Sequence, residues 1–256
     1  MPFVTIDNRH IHYDCPRALP SEVGYTVLLV HGALDDRRIW RHVYDALKAE
    51  HTPIALDLPA HGSSDWPVLE GAGEHVDFFT TLVNRLELDQ VVFCGHSMGG
   101  SMALHYALEQ PSRVAGLIPV GSSPEWKLDP ANTDDWSNPD SAYETNLGYL
   151  FAKKTPKTLI TEYDLALRET SPRTCRADLN TCLTFDLRDR LKNISAPTCV
   201  ICGDEETWKD GSLAIHELVP NASYHEIANA GHAVSIEQPE AIVTVIKSFL
   251  KTLSAS

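Results

Sequence analysis

Hydrophobic positions fall into short continuous runs separated by amphipathic stretches. Residues 26–30, 53–56, 91–94, 114–120 and 197–202 are apolar at nearly every position, the pattern of strands buried on both faces of a parallel sheet. Between them, 38–49 places Ile39, Trp40, Val43 and Leu47 on one helical stripe. Segments 74–86 and 239–253 are further helices, the last with Ile242, Val245, Ile246 and Phe249 on one face. Residues 4–6 and 10–13 read as a hairpin around Asp7-Asn8, 212–218 as a short helix and 223–227 as a strand. This alternation predicts an α/β fold with a mostly parallel, doubly wound sheet. It breaks after Gly121. From 123 to 192 the chain carries prolines, aromatics and two helical patterns, 158–167 and 177–191, with no strand. The expected organisation is a core of 1–122 and 193–256 with a helical cap, 123–192, inserted in it.

The chemistry gathers where the predicted strands end, the edge at which open α/β sheets bind ligands. The run 91–94 stops at Gly95-His96-Ser97-Met98-Gly99-Gly100, and a helix-favouring segment follows. A strand, a sharp turn and a helix with one serine at the apex suit an exposed nucleophile, because glycines two residues either side relieve the crowding such a turn imposes. A serine needs a base to take its proton, and the base needs an acid to hold its tautomer. His232, after Ala230-Gly231, is the candidate base, and the cluster Asp204-Glu205-Glu206 supplies candidate acids. Two backbone N–H groups are needed for an oxyanion hole. Met98 offers one and Ala33 the other, with Leu34 as the alternative. Trp126 and Trp136 are the cap aromatics assigned to substrate.

The net charge of −14 excludes the basic face that nucleic acid or an anionic membrane requires. No apolar run of membrane-spanning length occurs, and the N-terminus lacks signal-peptide character, so a cytoplasmic location is expected. Cys199 and Cys202 have the spacing of a metal or redox pair, but they lie within a strand-like run, where residues three apart face opposite ways. They read as core thiols, with no metal and no cofactor.

The segments L-L-V-H-G (28–32), D-L-P-A-H-G-S-S (57–64), G-H-S-M-G-G (95–100), P-T-C-V-I-C-G-D (197–204) and A-G-H (230–232) together resemble the α/β-hydrolase superfamily, in its capped esterase and lipase-like branch. Two positions depart from its pattern. Ala60 stands where glycine is usual, and the place of the usual acid, third after the strand-ending Gly203, holds Glu206. The resemblance therefore implies Ser97, Glu206 and His232 as the triad. Asp204 is the alternative acid, and Glu125 or Asp129 would serve in members that carry the acid after an earlier strand. The activity implied is hydrolysis of a small-molecule carboxylic ester through an acyl-enzyme, without a cofactor. The same scaffold also serves carbon–carbon bond hydrolysis of ring-cleavage products and small-molecule reception.

Overall fold

The computed structural model describes residues 2–127 and 149–253. An eight-stranded sheet forms the centre, in the order β1-β2-β4-β3-β5-β6-β7-β8. Strands β1 (Phe3–Ile6) and β2 (Arg9–Asp14) form an antiparallel hairpin, turned through the positive φ angles of Asp7 and Asn8. β2 pairs antiparallel with β4 (Thr52–Leu56). The remaining neighbours are parallel: β3 (Thr26–Val30), β5 (Val91–His96), β6 (Val114–Val120), β7 (Cys199–Gly203) and β8 (Ser223–Ile227). Strands β4, β5 and β7 are buried at every position, because helices cover both sheet faces.

Two apolar clusters lie on opposite faces. One packs α2 (Ala72–Arg85) and α3 (Met98–Glu109) against the sheet through Phe79, Phe93 and Tyr106. The other packs α1 (Arg41–Leu47) and the C-terminal helix through Trp40, Val43, Ile242 and Ile246. The predicted helix 38–49 is thus a 3-10 turn, Arg37–Trp40, followed by α1. All six cysteines are free thiols, and Cys199 and Cys202 are buried.

Between β6 and β7 the described residues contain helices and no strand. They include α4 (Lys157–Leu167), α5 (Pro172–Leu183) and a short 3-10 turn, Leu191–Asn193. The predicted helix 177–191 is displaced. Ser171 caps the Thr174 N–H and Pro172 occupies the first turn, which starts α5 five residues earlier than expected. The helix also ends at Leu183, eight residues before the expected end. Leu187 carries the helical spacing but its N–H donates to Pro124 O at 2.9 Å, and Leu191 opens the separate 3-10 turn, Leu191–Asn193. Burial of both leucines imitated a periodicity that belongs to a core-packed turn. The chain closes with α6 (Lys209–Leu218), α7 (Val234–Glu237) and α8 (Pro239–Leu253). No helix among the described residues is long and apolar enough to cross a membrane.

Candidate active site

β3 and β5 are parallel neighbours, with Val30 opposite Gly95. The chain leaves β3 toward β4 on one side and β5 toward β6 on the other, so their carboxyl ends flank the point where the winding reverses. Open α/β sheets bind ligands in the crevice at such a point. Here it lies between the loop His31-Gly32-Ala33-Leu34 and the turn His96-Ser97-Met98. The two meet closely, since a Cβ on Gly32 would stand 3.0 Å from the Ser97 Cβ.

Ser97 has φ 51° and ψ −119° and is the residue immediately before α3. A non-glycine residue held at positive φ stores strain that only close packing maintains. The flanking glycines permit that packing. A Cβ at Gly95 would lie 2.5 Å from the Gly100 amide nitrogen, and one at Gly99 would lie 2.3 Å from the His31 carbonyl. The Ser97 N–H donates to Val120 O at 2.9 Å, which ties the turn to β6.

The loop after β8 brings His232 to this turn. His96 lies 2.9 Å through Nε2 from the His232 carbonyl oxygen, and the two rings are 4.6 Å apart. Because that partner is a carbonyl, His96 donates from Nε2. Burial, reinforced by His232 nearby, holds the His96 pKa well below the ordinary imidazole value, so the ring is neutral. His232 Nδ1 is 2.8 Å from Glu206 Oε2, and both side chains are buried. A carboxylate only accepts, so Nδ1 carries the proton and Nε2 is left as the basic nitrogen. The other Glu206 oxygen, Oε1, accepts from the Trp208 N–H at 3.0 Å. Asp204 does different work. Its Oδ1 accepts from the Ala230 N–H at 3.1 Å and so ties the acid loop to the loop carrying His232. Glu125 forms an ion pair with Arg188 at 3.0 Å, while Asp129 and Trp136 lie outside the described residues. Trp126 is buried, donates its indole N–H to Ser101 Oγ at 3.1 Å, and stands edge-on to His232 and Trp208.

The loop after β3 is fixed from within the core. His31 donates Nδ1–H to Gly32 O at 2.8 Å and accepts the Leu58 N–H at Nε2, 3.0 Å away. This pairing demands the neutral ring. Burial, aided by the neighbouring His61, lowers the His31 pKa to about 3. The Gly32 carbonyl and the Ala33 N–H share one planar peptide unit, so His31 sets the direction of that N–H. The alternative donor, the Leu34 N–H, is engaged elsewhere, 2.8 Å from Asp178 Oδ2. Next in the loop, Asp35 accepts from the Tyr163 hydroxyl at 2.8 Å. Burial, then the charge of Asp36, pushes the Asp35 carboxyl up to about 7.

The profile of the alpha/beta hydrolase family matches residues 27–245. The chain belongs to that family. Among its relatives, the pimeloyl-[acyl-carrier protein] methyl ester esterase of Legionella pneumophila (strain Corby) is 28% identical over 243 residues, covering 89% of this chain and 96% of that protein. The 3-oxoadipate enol-lactonase 1 of Acinetobacter baylyi is 27% identical, covering 85% of each. A thermophilic esterase from Thermogutta terrifontis superimposes with a TM-score of 0.86 at 24% identity, over 98% of this chain and 97% of that one.

Several residues of this candidate site carry no signal in the sequence. Trp208 stands edge-on to His232 at 4.9 Å, yet no motif singles it out. Glu237 is a second. Its Oε2 accepts the Gly231 N–H at 2.7 Å, and its Oε1 accepts the Ala152 N–H at 2.8 Å and the Thr155 hydroxyl. Around it, residues 149–155 lie across the loops that carry Glu206 and His232. The Lys153 N–H donates to Glu205, the Thr207 hydroxyl to Tyr149 O, and the Ala233 N–H to Leu150 O. A Cβ at Gly231 would come within 2.7 Å of this strap. Such contacts link residues far apart in sequence and leave no local pattern.

Proposed function

We propose that this family member is a serine hydrolase of carboxylic esters that works through an acyl-enzyme. The observation that carries this reading is the buried Glu206–His232 hydrogen bond, held against the turn that presents a strained Ser97. His232 Nε2 takes the Ser97 proton as the hydroxyl attacks the ester carbonyl, and Glu206 stabilises the imidazolium that forms. The Ala33 and Met98 N–H groups receive the developing oxyanion, with Met98 at the positive end of α3. The imidazolium returns its proton to the leaving alcohol, and water then clears the acyl group by the same route. Ester chemistry is supported by the relatives, one named a methyl ester esterase and another an enol-lactonase.

In this reading the segment between β6 and β7 is a cap over the site. Trp126, buried beside His232 and Trp208, would give the acyl or alcohol group an apolar aromatic wall. The test is a series of p-nitrophenyl esters of increasing acyl length, with Ser97→Ala beside the wild type. Ester turnover by the native protein and background rates for the variant are expected. Fluorophosphonate labelling of the Ser97→Ala protein at the wild-type rate would remove Ser97 from its role.

A further inference from the structure

Leu34 is gripped from the far side of the chain. Its N–H donates to Asp178 Oδ2 at 2.8 Å, and its carbonyl accepts from the Thr170 hydroxyl at 2.8 Å. Asp178 lies on α5 and Thr170 just before it, both within the proposed cap and both buried. Leu34 itself has φ 66°, a left-handed conformation that costs a leucine roughly 1–2 kcal/mol. The loop therefore depends on outside contacts to keep its shape.

Asp178 is built for such a hold. Its Oδ2 also lies 2.9 Å from His61 Nε2, with Asp178 1% and His61 2% exposed. His61 Nδ1 faces the Pro59 carbonyl at 3.0 Å. Both ring nitrogens thus meet acceptors, so His61 carries both N–H groups and a positive charge that balances Asp178. Burial opposes that charge, but the charge and hydrogen bond of Asp178 more than offset it and hold the His61 pKa above the ordinary imidazole value. The result is a neutral, dry ion pair whose carboxylate retains a lone pair for the Leu34 N–H.

We propose that Asp178 and Thr170 are positioning residues of the oxyanion loop: they fix the peptide units on either side of Leu34 and so aim the Ala33 N–H. The Ala33 peptide plane is pinned at one end by His31 on Gly32 O. Asp178 pins the next plane, leaving Ala33 little freedom to turn its N–H away. The cap then acts on the chemical step as well as on substrate choice. This rests on the serine-hydrolase reading of the site.

Three variants test it: Asp178→Leu removes the acceptor, Asp178→Asn keeps one, and Thr170→Val removes a hydroxyl with little change of shape. Misaiming an oxyanion donor costs on the order of 10²-fold in kcat. Asp178→Leu should lose about that factor with KM within about 3-fold, since the oxyanion forms only in the transition state. Thr170→Val should lose kcat in the same sense by a smaller factor, and Asp178→Asn should recover to within about 5-fold of wild type. Amide hydrogen exchange across residues 31–36 should quicken in Asp178→Leu and Thr170→Val but not in Asp178→Asn. Should Asp178→Leu fail to fold, Thr170→Val and Asp178→Asn decide the matter. A folded Asp178→Asn enzyme that loses about 10²-fold in kcat, or a Thr170→Val enzyme with unchanged kcat and exchange, overturns the proposal. Activity surviving in Ser97→Ala would instead overturn the hydrolase reading, while the exchange comparison still reports whether the cap holds the loop.

Discussion

The carboxylate of Glu206 meets His232 Nδ1 at 2.8 Å, whereas Asp204, two residues earlier on the same loop, bonds the Ala230 amide. The two acids therefore have separable jobs. Glu206→Gln should lower kcat on a p-nitrophenyl ester by about 10³–10⁴-fold with little change in KM, as loss of a triad acid does. Asp204→Asn weakens a charge-assisted bond between two loops and should lower Tm while costing far less activity. Near-native kcat in a folded Glu206→Gln protein would contradict this division.

A second prediction concerns Trp126. Its indole N–H reaches Ser101 Oγ, one turn along the helix that follows Ser97, and Ser101 in turn donates to Ser123 O at 2.7 Å. Trp126→Phe keeps a smaller aromatic ring and removes the donor, so it should cost about 1–2 kcal/mol. Trp126→Ala opens a cavity and should cost about 3–5 kcal/mol in urea unfolding. Both should change the ranking of kcat/KM across acyl lengths. A uniform loss for every ester would mean that the ring does not line the acyl site.

Asp35 makes stability depend on pH. Its folded pKa is about 7 against 3.8 for the free side chain, so the folded state holds a proton that the unfolded chain has already released. The carboxyl costs nothing below about pH 4. It destabilises progressively as pH rises from about 4 to about 7, and its cost is constant above. The low pKa of His31 works in the opposite sense over nearly the same range, so the two offset one another in the native protein. The difference between Asp35→Asn and wild type isolates the aspartate. The Tm advantage of the variant should grow between pH 4 and 7, reflecting a few kcal/mol, and then level off. A difference independent of pH would show that Asp35 ionises normally.

Ala60 stands where the family usually has glycine, and the structure gives the reason for the glycine: φ is 67°. Replacing alanine at such an angle relieves backbone strain. Ala60→Gly should raise stability by up to about 1 kcal/mol in chemical denaturation, with kcat unchanged. A loss of stability would mean that the Ala60 methyl group contributes packing that outweighs the strain.

The legibility of these features tracks how local their causes are. The buried strands announce themselves as continuous apolar runs because both sheet faces are covered. The Ser97 turn shows because the crowding at Gly95 and Gly99 acts between near neighbours or adjacent strands. The predicted helix 177–191 ran eight residues past the end of α5 at Leu183 because Leu187 and Leu191 continue a helical stripe, and it began five residues late because the true start lay in Ser171 and Pro172. The grip of Asp178 on Leu34 spans 144 residues. A lone aspartate in an amphipathic helix reads as solvent-facing until the fold buries it.

The strap formed by residues 149–155 bears on how this protein exchanges parts with its relatives. Its bonds run to Glu205, Thr207, Ala233 and Glu237, and it packs closely on Gly231, so by contact it belongs with the loops that carry Glu206 and His232 rather than with the helices that follow. A chimera grafting a foreign cap across the whole of 123–192 discards that strap along with Thr170 and Asp178. One whose foreign segment lies wholly within 128–148 leaves them in place. Recombination that preserves function should therefore keep the strap, because Tyr149, Leu150, Ala152, Lys153 and Thr155 hold Glu205, Thr207, Ala233 and Glu237, the neighbours of Glu206 and His232.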